Sequence, residues 1–294
     1  MSSFSPDWLS LREPLDAASR AAGLAATLVD VLGRARSGDA RIRIVDLGAG
    51  TGANLRYVAP LLGGSQDWIL VERDDSVLEA MSGRMRSWAR SCGAQTIESA
   101  GQLAVRGARF ECSIHSVSLD LATGLGHLSL SGGTLLTASA LLDLVSERWL
   151  RALARRAASS AATVWFTLTY SGHVECTPAE PDDLEVLRLF NAHQLSDKGF
   201  GAALGPAAGP TAQRLFAQQG YRTECAPSDW HVGADQAALQ HSLVEGWFVA
   251  ACEIAPYRTS ALQNWLARRR AHIDAGRSEL LVGHIDLMGY PFRV

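Results

Sequence analysis

The feature that most restricts the fold of this chain is a glycine-rich turn between a short strand and a helix. Residues 41–47 are rich in β-branched side chains and run directly into Gly48-Ala-Gly-Thr-Gly52. A helical stretch at 54–62 follows, and Gly63 and Gly64 stop it. A strand that turns through glycines into a helix is typical of a βαβ unit, and the backbone N–H groups of such a turn meet a ligand.

The alternation of strands and helices continues along the chain and predicts a parallel sheet. Helices are expected at 7–34, 75–91, 146–157, 181–194, 211–219, 236–255 and 259–275, and further strands at 68–72, 110–119, 134–139, 162–170, 221–226 and 280–288. The stretch 199–210 holds four glycines and two prolines and is expected to be a loop. We predict an α/β fold with three parts in one compact unit: an N-terminal helical extension (1–40), a core (41–170), and a helical insert whose final strands complete the sheet and the substrate pocket (171–294).

The composition is that of a globular protein and excludes several partners. The chain has 294 residues, of which 47% are hydrophobic and 19% charged, and its net charge of −3 offers no overall attraction to nucleic acid. Five scattered cysteines without a C-x-x-C pair favour reduced thiols in the cytosol. The first 16 residues show no signal peptide, and the apolar stretch 135–145 is too short to span a bilayer. We therefore expect a cytoplasmic protein with no metal, no nucleic acid and no membrane among its partners.

Two acidic residues discriminate between cofactors that use such a glycine turn. The turn also fits the dinucleotide pattern G-x-G-x-x-G/A, with Ala53 in the last place. However, Asp46 lies two residues before Gly48, where an anionic side chain would repel a pyrophosphate and attract a cationic group. Glu72 ends the second predicted strand, where a carboxylate can accept hydrogen bonds from ribose hydroxyls. The acid at 46 favours S-adenosylmethionine, which carries an ammonium and a sulfonium group and no phosphate.

The segment Val45-Asp-Leu-Gly-Ala-Gly-Thr-Gly52, together with Val71-Glu72, resembles the class I S-adenosylmethionine-dependent methyltransferases. The resemblance covers about 41–170 and implies a Rossmann-like, doubly wound, seven-stranded sheet whose last strand is antiparallel. It places Gly48 and Gly50 along the methionine part of the cofactor, Asp46 near its ammonium and Glu72 at its ribose. The stretch 137–145 also resembles a bacterial branch of small-molecule methyltransferases.

The same resemblance extends the cofactor site to the ends of the third and fourth strands. Asp120 and Leu121 fall at the adenine position, although Asp120 fits a simple turn acid equally well, and Ala138 and Ser139 fall at the wall of the methyl-transfer site. The complete set of cofactor residues that we predict is Asp46, Gly48, Ala49, Gly50, Asn54, Glu72, Asp120, Leu121, Ala138 and Ser139.

The acceptor side is predicted from segments outside the common core. After the fourth strand there is no Asn/Asp-Pro-Pro-aromatic motif of the kind found in enzymes that methylate DNA bases or protein glutamine, so a small-molecule acceptor is expected. The insert brings His193, Asp197 and Lys198 into six residues, and on a helix the first two would stand at i and i+4 as a base and its orienting acid. A polar helix end explains the same residues.

Three further positions complete the expected acceptor side. Lys198 is the only lysine among 27 basic residues, which points to a role that arginine cannot fill. Tyr170 and His173 follow the fifth predicted strand, where an acceptor is expected to bind. Arg12 and Arg20 in the N-terminal extension are candidate lid residues that face an anionic group of the substrate or cofactor; a plain helix surface is the alternative.

The function that these residues favour is methyl transfer from S-adenosylmethionine to an oxygen or nitrogen of a small molecule, with release of S-adenosylhomocysteine. Two alternatives stay open at this point. One is a regulator that binds S-adenosylmethionine without catalysis. The other is an NAD(P)-dependent oxidoreductase, which the charge of Asp46 disfavours.

Overall fold

The computed structural model describes residues 5–35, 40–99 and 102–292. The strands are β1 (Ile42–Leu47), β2 (Gly64–Glu72), β3 (Gln95–Ser99), β4 (Gln102–Arg106), β5 (Phe110–Ser118), β6 (Leu135–Ser139), β7 (Thr163–Thr177), β8 (Tyr221–Pro227), β9 (Trp230–Val232) and β10 (Glu279–Pro291). The helices are α1 (Pro6–Ser19), α2 (Ala22–Ala35), α3 (Ala53–Leu62), α4 (Asp75–Ser91), α5 (Leu121–Gly124), α6 (Glu147–Ser159), α7 (Asp183–Gln194), α8 (Ala208–Gln218), α9 (Ala237–Ile254) and α10 (Thr259–Asp274).

All of these strands belong to one sheet in the order β3-β4-β5-β2-β1-β6-β7-β10-β8, and β9 also pairs with β10. The five central strands, from β5 to β7, are parallel, whereas β10 runs antiparallel to β7, β8 and β9. In this register Asp46 stands between Leu70 of β2 and Thr137 of β6. The carboxyl ends of the central strands therefore meet at one edge, where open α/β sheets bind their ligands.

The predicted fold class is confirmed, and the sheet is larger than seven strands. The hairpin β3–β4 extends the edge beside β5, and the short β9 adds to β10. These three strands were not predicted from the sequence, because they have only five, five and three residues and carry no clear period-2 pattern.

Helices cover both faces of the sheet, as a doubly wound fold requires. Trp165 and Phe166 are neighbours on β7, yet they lie in different buried clusters because successive strand side chains point to opposite faces. The Phe166 cluster includes residues of α6 and α8, and the Trp165 cluster includes residues of α2, α3 and α4. A third cluster joins α7, α9 and α10 to α1 and to the far ends of β7 and β10. Among the described helices, none has both the length and the apolar character needed to cross a membrane.

Three predicted elements differ from the structure in ways that affect the site. The predicted helix at 7–34 is broken at Arg20, which has extended dihedral angles and separates α1 from α2. The predicted loop at 199–210 already contains the first turn of α8. Strand β7 does not end at Tyr170 but continues to Thr177, because its second half pairs with the first residues of β10.

Candidate functional site

A cavity of about 460 Å³ opens at the carboxyl edge of the sheet, which is within the ordinary size of a small-molecule site. Most of the residues predicted from the sequence line it. They are Arg12, Asp46, Gly48, Ala49, Gly50, Asn54, Glu72, Asp120, Leu121, Ser139, His193, Asp197 and Lys198. The cavity lining does not include Arg20, Ala138, Tyr170 or His173.

The glycine turn forms one wall of the cavity and depends on residues without a side chain. Gly48, Gly50 and Gly52 have φ angles of 63°, 55° and 82°, a region that other residues rarely adopt. A Cβ atom on Gly52 would also overlap the methyl group of Met85, so α4 packs directly against the turn. The turn is tied to the sheet by the backbone hydrogen bond from Ala49 N to Val71 O at 3.0 Å.

Asp46 presents a buried carboxylate with one unused oxygen. Its Oδ1 accepts a hydrogen bond from Asn54 Nδ2 at 2.8 Å, while Oδ2 is buried and has no hydrogen-bond partner among the residues that the structure describes. Burial raises the pKa of Asp46 to about 7, although the Asn54 hydrogen bond and the charge of Arg20 act in the opposite direction. A buried oxygen without a partner is costly, and a cationic donor placed beside it would remove that cost.

Arg20 is not a lid residue, which corrects the sequence prediction. It is 6% exposed, and its Nη1 donates to Asn54 Oδ1 at 2.6 Å, so it lies behind the cavity wall. Its guanidinium carbon stands over the rings of Tyr57 and Trp165 at 4.5 and 5.6 Å from their centroids. Arg20 therefore supports Asn54, which in turn orients Asp46.

Glu72 holds the glycine turn against the end of β2. Its Oε2 accepts a hydrogen bond from Gly50 N at 3.0 Å, and its Oε1 accepts from Arg73 N and Asp74 N at 2.8 and 3.1 Å. Three backbone donors fix the direction of the carboxylate. Oε1 already accepts two hydrogen bonds, whereas Oε2 accepts one and has a further lone pair that can receive a hydroxyl group from the cavity.

The ends of β5 and β6 complete the sheet side of the cavity. Asp120 lines it and also caps α5, because its Oδ1 accepts from Ala122 N at 3.0 Å; the two roles that the sequence left open are compatible. Leu121 and Ser139 line the cavity as well. Ala138 does not, since its side chain is 1% exposed and belongs to the core below.

Helix α1 covers the cavity and contributes Leu9, Arg12 and Asp16 to its lining. Arg12 Nε donates to Asp16 Oδ2 at 2.8 Å, and the guanidinium carbon stands 5.1 Å from the ring centroid of Trp230. The arginine predicted to bind an anion is thus already paired with an acid. Asp16 Oδ1, in contrast, is buried and has no hydrogen-bond partner within residues 5–35, 40–99 and 102–292.

A buried ion pair connects α1 to the glycine turn. Glu13 receives two hydrogen bonds from Arg56, each at 2.6 Å, and Arg56 Nη1 also donates to Thr51 O at 2.6 Å. The side chain of Arg56 is only 6% exposed. The position of α1 over the cavity is therefore coupled to the turn beneath it.

His193 and Lys198 lie together in the cavity, but Asp197 does not orient His193, so that part of the prediction is wrong. Helix α7 ends at Gln194, and the i,i+4 spacing of 193 and 197 is therefore not helical. Asp197 Oδ1 accepts instead from Gly199 N and Gly201 N at 2.7 and 3.0 Å and closes the following turn. The acid that contacts His193 is Glu253 of α9, at 2.9 Å from Nε2.

Tyr170 and His173 lie outside the cavity, because β7 continues through both positions. The hydroxyl group of Tyr170 donates to Asn191 Oδ1 at 2.8 Å, and its ring packs on Phe190. His173 is more than half exposed and pairs with Glu175 at 2.9 Å. Neither residue lies where the acceptor was expected.

Several residues that line the cavity were not predicted from the sequence. Glu253 gave no signal because it lies 60 positions from His193 and on a different helix. Asp16 was detectable, since it stands at i+4 from Arg12 on a helix. The remaining missed residues include Leu9, Asp74, Leu141, Leu144, Ser196 and Phe200.

The charges around the cavity favour a cationic ligand on the sheet side. Seven acidic residues line the cavity (Asp16, Asp46, Glu72, Asp74, Asp120, Asp197 and Glu253), whereas three basic residues do (Arg12, Arg73 and Lys198). Within the residues that the structure describes, no group of three His, Cys, Asp or Glu side chains is arranged to hold a metal ion.

No protein-family model matches the chain, and no curated protein matches it. Solved structures do resemble it. The cyclopropane-fatty-acyl-phospholipid synthase-like protein from Lactobacillus casei is 12% identical, with 97% of this chain and 94% of that chain covered and a TM-score of 0.50. The SAM-dependent methyltransferase from Thiobacillus denitrificans, solved with S-adenosyl-L-homocysteine, is 13% identical over 98% of this chain and 99% of that chain, with a TM-score of 0.44. The Lactobacillus casei structure shows that the chain shares its α/β fold.

Proposed function

We propose that this chain is a methyltransferase that uses S-adenosylmethionine, acts on an oxygen or nitrogen of a small molecule and releases S-adenosylhomocysteine. The observation that carries the proposal is the buried, unpartnered Oδ2 of Asp46 at the carboxyl end of β1, beside the glycine turn. This oxygen fits the α-ammonium group of the cofactor. The resemblance of the turn to class I methyltransferases supports the same proposal, and the Lactobacillus casei structure, which shares the fold, is compatible with it.

The residues present fit the other parts of this cofactor as well. Glu72 Oε2 has one free lone pair for a ribose hydroxyl, and Asp120 and Leu121 also line the cavity and can contact the adenine. The acidic lining suits a molecule with a sulfonium and an ammonium group. A dinucleotide would bring a pyrophosphate to the same turn, where Asp46 and Glu72 oppose it.

When bound, S-adenosylmethionine supplies a methyl group on a positively charged sulfur. The contribution of this chain is to hold an acceptor in line with that methyl group and to keep water away, which by itself accounts for large rate accelerations. Helix α1 covers the cavity for this purpose. We assign His193 to the acceptor side as a positioning residue, because its Nε2 contacts Glu253 and its Nδ1 lies 3.2 Å from Lys198 Nζ, which leaves neither ring nitrogen free to remove a proton.

The first test is calorimetric titration of the purified chain with S-adenosylhomocysteine, S-adenosylmethionine and NADH. We expect binding of the first two, and a loss of affinity of about tenfold or more in Asp46→Ala and Glu72→Ala, since each removes a hydrogen bond to a charged group. Glu175→Ala is the matched control, because it removes an exposed acid outside the cavity. Binding of NADH alone, or unchanged affinity in both cavity variants, would refute the assignment.

The second test separates a methyltransferase from a regulator that only binds the cofactor. The chain is incubated with S-adenosylmethionine and a library of small hydroxyl and amino compounds, and S-adenosylhomocysteine is measured. We expect its release with at least one compound and loss of that release in Asp46→Ala. Tight cofactor binding without release across a broad library would favour the regulator.

A further inference from the structure

The acceptor side of the cavity contains a cation without a counter-ion. Lys198 lines the cavity, and it has no acidic side chain within ion-pair distance in the described part of the chain. The other acceptor-side cation, Arg12, is paired with Asp16 at 2.8 Å. Burial lowers the pKa of Lys198 even though Glu253 and Asp143 oppose that shift, so its ammonium is only partly compensated by its surroundings.

The position of this ammonium is set by two neighbours. Its Nζ lies 2.9 Å from Ser196 Oγ, and it lies against the ring of His193, at 3.2 Å from Nδ1 and 3.5 Å from Nε2. Glu253 contacts the other nitrogen of the same ring at 2.9 Å, so that the imidazole presents Nδ1 as the acceptor. Glu253, His193 and Lys198 therefore form a chain of contacts that holds the lysine toward the cavity.

The number of donors limits what Lys198 can bind. An ammonium group has three N–H donors, of which Ser196 and His193 take two. One donor is left for a ligand. A phosphate group carries close to two negative charges, and here it would meet a single free N–H donor and the repulsion of the nearby carboxylate of Glu253. A carboxylate ligand carries one negative charge and can be bound by one charged donor.

We propose that Lys198, held by Ser196 and His193, binds a carboxylate group of the methyl acceptor, so that the substrate class is a small organic acid. This inference rests on the proposed function, since it assigns the acceptor of that same cavity. The two ends of the cavity then prefer ligand groups of opposite charge. Asp46 and Glu72 receive the cationic cofactor, and Lys198 receives the anionic acceptor. The need for three tetrahedral donors also accounts for a lysine in a chain that otherwise uses arginine, whose donors lie in one plane.

The test uses the chain saturated with S-adenosylhomocysteine and a panel of aliphatic, aromatic and amino carboxylic acids, each paired with its primary amide. Calorimetry measures the affinity of each pair. We expect at least one acid to bind about tenfold or more tightly than its amide, as a hydrogen bond to a charged group provides. In Lys198→Met we expect the acid and its amide to bind with about equal affinity. An unchanged affinity for S-adenosylhomocysteine in this variant shows that the cavity is intact.

Arg222→Met is the matched control, because Arg222 is an exposed cation on β8 outside the cavity. It is expected to keep the preference for the acid. The proposal is overturned if no acid binds more tightly than its amide, or if Lys198→Met keeps the preference. Inorganic phosphate is titrated in parallel, and tighter binding of phosphate than of every acid would also overturn it. Failure of the chain to bind S-adenosylhomocysteine at the outset would instead refute the proposed function, which separates the two failures.

Discussion

The buried carboxyl group of Asp46 makes the free energy of unfolding depend on pH, and Asp46→Asn is expected to remove that dependence. The side chain is 1% exposed, and in the described part of the chain only its Oδ1 has a hydrogen-bond partner. Asparagine has nearly the same shape and keeps an oxygen for the contact with Asn54. The substitution therefore removes the charge without opening a cavity.

The magnitude follows from the pKa of Asp46, which burial raises to about 7 in the folded chain. The pKa of an unfolded aspartate is about 3.9, so the difference is about 3 units, and each unit corresponds to about 1.4 kcal/mol. Because the folded pKa is the higher one, the folded state holds its proton over a range where the unfolded state has released it. The stabilisation is complete below pH ~4 and is lost as the pH rises to about 7, by about 4 kcal/mol in total.

The assay is urea unfolding of wild type and Asp46→Asn at several pH values between about 5 and 8, without ligand. The other titrating groups are the same in both chains, so the difference between their free energies of unfolding isolates Asp46. Between pH 5 and 7 we expect the free energy of unfolding of the variant to rise by about 2 kcal/mol relative to the wild type. The slope is about 1.4 kcal/mol per pH unit near pH 5 to 6 and falls to half that value at pH ~7, where the folded group itself titrates. Parallel pH profiles of the two chains would refute the reasoning about this buried group.

The same group connects stability to cofactor binding. A bound ammonium group favours the ionised form of Asp46, so binding of S-adenosylhomocysteine to the wild type requires loss of the proton below pH ~7. We expect its affinity to rise by up to about tenfold per pH unit as the pH approaches 7, and to be weak and nearly independent of pH in Asp46→Asn. A wild-type affinity that does not change with pH would contradict this.

Three further predictions concern the supports of the cavity. Glu72→Gln is expected to weaken binding of S-adenosylhomocysteine about tenfold, because one acceptor oxygen becomes a donor, and calorimetry checks this. Glu13→Ala is expected to lower the free energy of unfolding by about 3 kcal/mol, since it leaves the charge of Arg56 buried without its carboxylate; the exposed Glu98→Ala is the control, at below about 1 kcal/mol in urea unfolding. Asp286 on β10 accepts hydrogen bonds from the backbone N–H groups of Ala21 and Leu168. Asp286→Ala is therefore expected to lower the free energy of unfolding by about 3 kcal/mol in the same measurement, because both groups lose their acceptor. A decrease below about 1 kcal/mol would show that water replaces the carboxylate.

The sequence was a good guide to the sheet side of the cavity. Nine of the ten predicted cofactor residues line it, and Ala138 is the exception. These residues lie on the glycine turn, at the start of α3 or just at the ends of strands, and parallel strands bring their carboxyl ends to the same edge. When the end of a parallel strand can be located in the sequence, the residues at that end can therefore be assigned to the cavity edge of the sheet. Ala138 is the exception because it lies level with Leu47 in the pairing of β6 with β1, and both side chains belong to the buried core cluster.

The acceptor side was much harder to predict, because its contacts join distant parts of the chain. The contact between His193 and Glu253 joins α7 to α9, and nothing within either helix indicates the other. Asp197 looked like a helical partner of His193 until the end of α7 at Gln194 was known. Likewise, the burial of Arg20 follows from the break between α1 and α2.

The alternation of strands and helices, the glycine turn and the two acids that flank it are all encoded locally. They depend on short-range periodicity and on backbone conformations that only glycine adopts readily. Which side chains face each other across the cavity depends instead on the packing of whole elements. Packing of α1, α7 and α9 over the sheet edge paired Arg12 with Asp16, left Asp46 Oδ2 without a partner and set Lys198 beside His193 without an acid. Contacts between residues far apart in sequence depend on how whole elements pack, and that information is absent from any short segment.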